Sequence, residues 1–204
     1  MKGQGVTNRS VRWHDGRVAP EDRERAFRQR PVTIWLTGLS ASGKSTLAFE
    51  LEHRLISSGR PCLVLDGDNV RHGLNADLGF SPANRGENVR RIAEVAKLSN
   101  AAGLIVITAL ISPYRNDRDA AKRIIGAARF LEVFLDAPLE VCAGRDPKGY
   151  YRKARAREID AYTGVSAPYE KPDHPDLVLR TDLLDPSQAA AEVMAKLEAG
   201  FLIG

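Results

Sequence analysis

Val32-Thr33-Ile34-Trp35-Leu36-Thr37-Gly38-Leu39-Ser40-Ala41-Ser42-Gly43-Lys44-Ser45-Thr46 decides the fold. Its first six residues are a continuous β-branched and apolar run behind Pro31. Such a run suits a central strand of a parallel sheet, covered on both faces. Gly38 to Ser45 then matches G-x-x-x-x-G-K-[ST] in full. After Lys44, Leu47, Leu51 and Leu55 recur at helical spacing up to Gly59, a residue type that commonly follows a helix end. Strand, glycine loop and helix in that order give the motif its meaning; the alternative is a plain glycine turn before a helix. The loop's N–H groups and the helix N-terminus form a cradle for phosphate. Lys44 reaches the outer phosphates, and the Ser45 hydroxyl is a ligand for Mg²⁺. A nucleoside triphosphate with Mg²⁺ is the expected ligand.

The same unit recurs along the chain. Strands are expected at 62–65, 104–108, 131–135 and 177–179. Helices are expected at about 87–102, 117–126, from Pro138, and at about 186–199. Alternating strands and helices imply an α/β fold with a five-stranded parallel sheet and helices on both faces. The ligand crevice then lies at the carboxyl ends of the strands. Residues 1–30 are rich in charge and read as an N-terminal arm with one short helix; residues 31–204 form the domain. Within it, about 146–175 lacks periodicity and carries many charges, glycines and prolines, the signature of a long mobile loop and here of a lid.

Composition narrows the rest. The 204 residues favour one domain, and 43% hydrophobic with 27% charged residues is ordinary for a globular protein. A net charge of +4 suits small anionic ligands and falls short of a nucleic-acid signature. The longest apolar stretch, 101–111, contains Gly103 and Thr108 and is much shorter than the ~20 residues a membrane span needs. The polar start of the sequence lacks the apolar centre of a secretory signal, so a cytoplasmic location is expected. Cys62 and Cys142 sit in apolar runs and read as buried thiols, which excludes a metal site built on cysteine.

Asp66-Gly67-Asp68-Asn69-Val70-Arg71-His72-Gly73 begins where the second strand ends. Two carboxylates there share the sheet edge with the phosphate loop. One can order Mg²⁺ while the other accepts a proton from an attacking hydroxyl, and spacing does not separate the two roles. A solvated acidic turn is the bland alternative. His72 is read as a loop residue.

With these segments, Phe80-Ser-Pro-Ala-Asn-Arg-Gly-Glu-Asn-Val-Arg-Arg91, Ile111-Ser-Pro-Tyr-Arg-Asn-Asp-Arg118, Asp146-Pro-Lys-Gly-Tyr150 and Tyr162-Thr-Gly-Val165 follow in order. Taken together, from about Trp13 to Thr181, the chain resembles the adenylylsulfate kinase family. The resemblance implies transfer of the γ-phosphoryl group of ATP to the 3′-hydroxyl of adenosine 5′-phosphosulfate, in sulfate activation. It assigns Asp68 as base and Asp66 to the Mg²⁺ side. Arg71, Arg85 and Asn88 bind the phosphosulfate and nucleotide, and Phe80 and Tyr162 stack on the adenine. Ile111 and Ser112 contact the acceptor, Lys148 closes over the phosphates, and Arg145 packs on the ATP adenine. Ser112 also matches a serine described for the family as phosphorylated; backbone contact is the alternative.

Tyr162 stands where phenylalanine is usual, Ala41 where glycine is commoner, and Asn84 where aspartate usually precedes the arginine. The change at Ala41 is mild if its backbone is right-handed. The basic run Arg152 to Arg157 is read as a solvated face. The resemblance further implies a homodimer and a possible association with an ATP sulfurylase; the small charge excess and the lack of a long apolar stretch argue against a nucleic-acid or membrane partner. Two other readings are a different small-molecule kinase on this scaffold, and a nucleotide sensor that retains the site without turnover.

Overall fold

The computed structural model describes residues 11–12, 14, 16–159 and 162–203; most of the stretch 1–15, Trp13 included, lies outside the described residues. Five strands, β1 Thr33–Thr37, β2 Cys62–Asp66, β3 Ile105–Ala109, β4 Phe130–Leu135 and β5 Leu177–Leu179, form one sheet in the order β2-β3-β1-β4-β5. Every pairing is parallel, as continuous apolar strands require when helices cover both faces.

The helices are α1 Pro20–Phe27, α2 Lys44–Ser57, α3 Pro82–Ala101, α4 Arg115–Ile125, α5 Leu139–Arg145, α6 Tyr150–Arg155 and α7 Pro186–Gly200. Alternation along β1 divides the core, since successive side chains point to opposite faces. Ile34 and Leu36 join Leu47, Leu51 and Leu55 of α2 and Val193 and Leu197 of α7 on one face. Trp35 joins Val89, Ile92 and Ala96 of α3 and Ala121 and Ile125 of α4 on the other. Each fully buried leucine or isoleucine contributes about 1.5–3 kcal/mol by leaving water.

Two elements and the burial of one cysteine depart from the sequence reading. Helix α3 starts at Pro82, five residues before the expected Glu87, because Ser81 caps it by accepting from the Asn84 N–H at 3.3 Å. A serine followed by proline at the first helical position is a start signal in its own right. The stretch 146–175 is not a structureless loop: it contains α6, whose Tyr151 and Ala154 are buried against Ala137, Cys142 and Tyr162. Two buried side chains in six residues are too few to give a readable period. Cys142 is buried as expected, while Cys62 is half-buried; both are free thiols.

The chain before β1 is tied to the opposite end of the sheet from the phosphate loop. Gln29 Nε2 donates to the carbonyls of Pro61 and Gly103 at 2.9 Å each, and the Arg30 N–H donates to Phe201 at 2.6 Å. All these contacts lie on segments that precede strands or end the chain. Residues 20–30 therefore brace the base of the domain. Among the described residues, no helix is long and apolar enough to cross a membrane.

Candidate active site

The loop between β1 and α2 wraps back on itself. Gly38 sits so close to β4 that a Cβ would lie 2.7 Å from the Leu135 carbonyl oxygen, so no other residue fits without moving the strand. Gly43, at φ +97°, forms the left-handed entry to α2, and no side chain caps the helix. The first turn of α2 thus keeps its N–H groups for a ligand.

Lys44 is buried and donates to the carbonyls of Gly38 at 3.1 Å and Leu39 at 2.6 Å, with Ser42 Oγ at 3.4 Å. Burial pulls its pKa down to about 8, opposed by the negative potential of Cys142, Asp66 and Asp68. Ala41 adopts φ +59°, so the right-handed backbone that would have made it a mild change is not present. The Cβ crowds the carbonyl there at a cost of about 1–2 kcal/mol.

The Ser45 hydroxyl donates to Asp66 Oδ2 at 2.6 Å, linking α2 to the end of β2. Asp66 Oδ1 accepts from the backbone N–H groups of Asp68 at 3.0 Å and Asn69 at 3.3 Å. Asp66 is thereby buried and fixed, whereas Asp68 is exposed and forms an ion pair with Lys148. The environment separates two carboxylates that spacing could not. A hydroxyl and a carboxylate are hard oxygen ligands of the kind Mg²⁺ takes when it keeps waters and phosphate oxygens, so Ser45 and Asp66 fit that ion.

Phe80 is exposed, with the Arg71 guanidinium 4.4 Å from its ring centroid and that of Arg85 at 5.7 Å. Arg71 Nη1 donates to the Leu78 carbonyl at 2.7 Å, and Arg85 Nε to the Phe80 carbonyl at 3.0 Å. Burial lowers the pKa of both arginines, yet both remain cations at neutral pH. Asn88 is buried on α3 and accepts from Asn75 Nδ2 at 3.0 Å. Tyr162 is buried with its ring edge-on to Tyr151 at 5.1 Å.

Ser112 is 3% exposed and holds φ +38°. Its Oγ accepts from Trp35 Nε1 at 3.1 Å and donates to Thr37 Oγ1 at 3.1 Å. A hydroxyl so enclosed is poorly placed as a nucleophile, and this geometry favours the backbone-contact alternative.

One open cavity of about 880 Å³ runs from the phosphate loop to Phe80. Residues 40–46, Asp66, Asp68, Arg71, Phe80, Arg85, Asn88, Ile111, Ser112, Arg145, Lys148 and Tyr162 all line it. Gly38 and Leu39 lie outside the lining and act through loop shape. His72 is exposed and off the cavity wall. The sequence reading missed the wall made by Thr181, Leu184 and Pro186. Thr181 Oγ1 donates to the Ser42 carbonyl at 2.8 Å, and its own carbonyl accepts from Arg145 Nη2. No motif marks this segment, since one threonine and a turn before a helix are common everywhere.

Residues 30–180 match the family model described as adenylylsulphate kinase. A probable adenylyl-sulfate kinase of Halalkalibacterium halodurans is 48% identical over 196 residues, covering 96% of this chain and 97% of the relative. An adenylyl-sulfate kinase of Clostridium kluyveri is 50% identical over 189 residues, 93% of this chain and 94% of the relative. Among solved structures, the Mycobacterium tuberculosis APS kinase CysC in complex with AMPPNP and APS superposes with a TM-score of 0.80. It is 49% identical in sequence over 83% of this chain and 98% of that one. Similarity at this level spans the phosphate loop, the paired aspartates and the 146–175 segment alike, and the chain belongs to the adenylylsulfate kinase family.

Proposed function

We propose that this chain transfers the γ-phosphoryl group of ATP to the 3′-hydroxyl of adenosine 5′-phosphosulfate, giving 3′-phosphoadenosine 5′-phosphosulfate and ADP. The observation that carries this reading is the single cavity that joins a complete phosphate loop to Asp68, Arg71, Phe80, Arg85 and Asn88.

In this reading the loop and Lys44 hold the β- and γ-phosphates, and Arg145 and Thr181 flank the ATP adenine. Mg²⁺, held by Ser45 and Asp66, would neutralise charge on the phosphate oxygens. Asp68, carrying no share of that ion, accepts the proton of the 3′-hydroxyl as it attacks in line with the leaving ADP oxygen. Arg71 and Arg85 meet the phosphosulfate oxyanions, for which a planar guanidinium is suited. Phe80 and Tyr162 hold the acceptor adenine, and Lys148 moves from Asp68 to the phosphates as the lid closes, keeping water from the donor.

The test is an ADP-release assay with Mg-ATP and adenosine 5′-phosphosulfate, run beside AMP and gluconate. Turnover confined to adenosine 5′-phosphosulfate is expected; turnover with AMP or gluconate alone would replace this reading with another small-molecule kinase. The homodimer implied by the family resemblance is checked by sedimentation.

A further inference from the structure

Arg118 is 3% exposed, lies on α4, and does not line the cavity. Its guanidinium joins three separate segments. Nε donates to Glu132 Oε1 of β4 at 2.8 Å, Nη1 to the Ser112 carbonyl at 2.7 Å, and Nη2 to the Glu170 carbonyl at 2.8 Å. Glu132 supplies the counter-charge a buried guanidinium needs.

Ser112 is thereby gripped from two sides. Its carbonyl is held by Arg118, and its hydroxyl by Trp35 and Thr37 of β1. Thr37 Oγ1 also donates to the Ile111 carbonyl at 2.8 Å and pairs with the Tyr169 hydroxyl at 2.9 Å. A serine at φ +38° persists only where its surroundings over-determine it. The same clamp reaches Glu170, near the end of the 146–175 segment. Besides Glu170 on Arg118, the Glu170 N–H donates to the Pro113 carbonyl at 2.8 Å, and the Arg115 N–H donates to Glu170 Oε2 at 2.8 Å.

We propose that Arg118 is a positioning residue: its three-way hydrogen bonding sets the Ile111–Ser112 backbone against the acceptor and moors the end of the lid to that loop. It touches neither nucleotide. This inference rests on the assignment of Ile111 and Ser112 to the acceptor side. Lysine keeps the charge beside Glu132 but has no planar fork to serve three directions, so Arg118→Lys is the informative conservative change and Arg118→Gln the severe one.

The experiment measures KM for adenosine 5′-phosphosulfate and, separately, the Kd for ATP without acceptor. The variants are compared at a temperature where circular dichroism shows them folded. A rise of at least tenfold in acceptor KM for Arg118→Gln is expected, with a smaller rise for Arg118→Lys and ATP affinity within twofold of the parent. Equal loss of both affinities, or no change in a folded variant, overturns the proposal. If Arg118→Gln does not fold, Arg118→Lys carries the test by the same criteria. A second measurement does not depend on turnover. In a Trp13→Phe background, Trp35 is the sole tryptophan, and its emission must shift in the unliganded variants as Ser112 moves from its indole N–H. An unchanged emission overturns the clamp, whereas a shift alongside a parent that is inactive on adenosine 5′-phosphosulfate faults the acceptor assignment instead.

Discussion

Lys148 and Asp68, both lining the cavity, form an ion pair that joins the segment before α6 to the turn after β2. The hydrogen bond to Asp68 pushes the Lys148 pKa up, so the lysine is a cation throughout the neutral range. The pair therefore ties the segment before α6 to the group assigned as base in the proposed reading. Asp68→Ala should lower kcat by about 10²–10⁴-fold, the range for loss of a general base. ATP affinity should stay within twofold, because Asp68 lies off the phosphate loop. Steady-state rates with a nucleotide titration check this, and an unchanged rate removes Asp68 from the mechanism.

Asp66 makes a different prediction from its neighbour. Asp66→Asn retains a carbonyl oxygen for the Asp68 and Asn69 N–H groups but removes the charge offered to the metal. The free Mg²⁺ concentration for half-maximal rate should rise by about tenfold, with little change in melting temperature. Ser45→Ala should shift the same curve in the same direction.

The buried Lys44 ammonium gives a pH prediction. Its pKa of about 8 is below the ordinary value of 10.5 because burial disfavours the charge. A bound polyphosphate favours the charged form and raises the pKa. Binding between the two values must take up a proton, so ATP affinity falls as pH rises above about 8. In the free protein the burial penalty is present below pH 8 and fades between 8 and 10.5, adding stability as pH rises. Calorimetry at pH 8.5 in two buffers of different ionisation enthalpy measures the proton count; equal heats would contradict the assignment.

Ala41 should be improved by glycine. At φ +59° the methyl group costs about 1–2 kcal/mol, of which glycine's extra freedom in the unfolded chain takes back about 0.5–1. Ala41→Gly is expected to stabilise by up to about 1.5 kcal/mol, with melting temperature rising by about 2–4 °C per kcal/mol at this chain length. A thermal melt decides it, and a lower melting temperature would mean that the surrounding loop tolerates the alanine without strain.

The strands and the phosphate loop were legible because their signals are local: an unbroken apolar run, a glycine pattern, leucines four apart. The acceptor residues could be named only through the order of several motifs, since Arg71, Arg85 and Asn88 alone read like any polar loop. Two kinds of feature stayed hidden. Helix α6 packs through Tyr151 and Ala154, too little apolar surface in six residues to betray itself. The wall at Thr181 and the roles of Thr37 and Arg118 depend on contacts between segments 75 to 139 residues apart or on which way a guanidinium turns, and neither is written in a spacing. Residue type also failed at Ala41, where the loop path, not the side chain, fixes the conformation.

The strand order has a last consequence. β3 separates β1, which ends at the phosphate loop, from β2, which ends at the aspartates. Neighbouring strands lie about 4.8 Å apart, so these two ends stand about 10 Å apart whatever the loops do. The phosphate loop and the aspartates are both anchored to a ladder of backbone hydrogen bonds. In the proposed reading, loosening 146–175 alters how often the two nucleotides are enclosed, while the spacing of the strand ends that carry the phosphate loop and the aspartates stays set by the sheet.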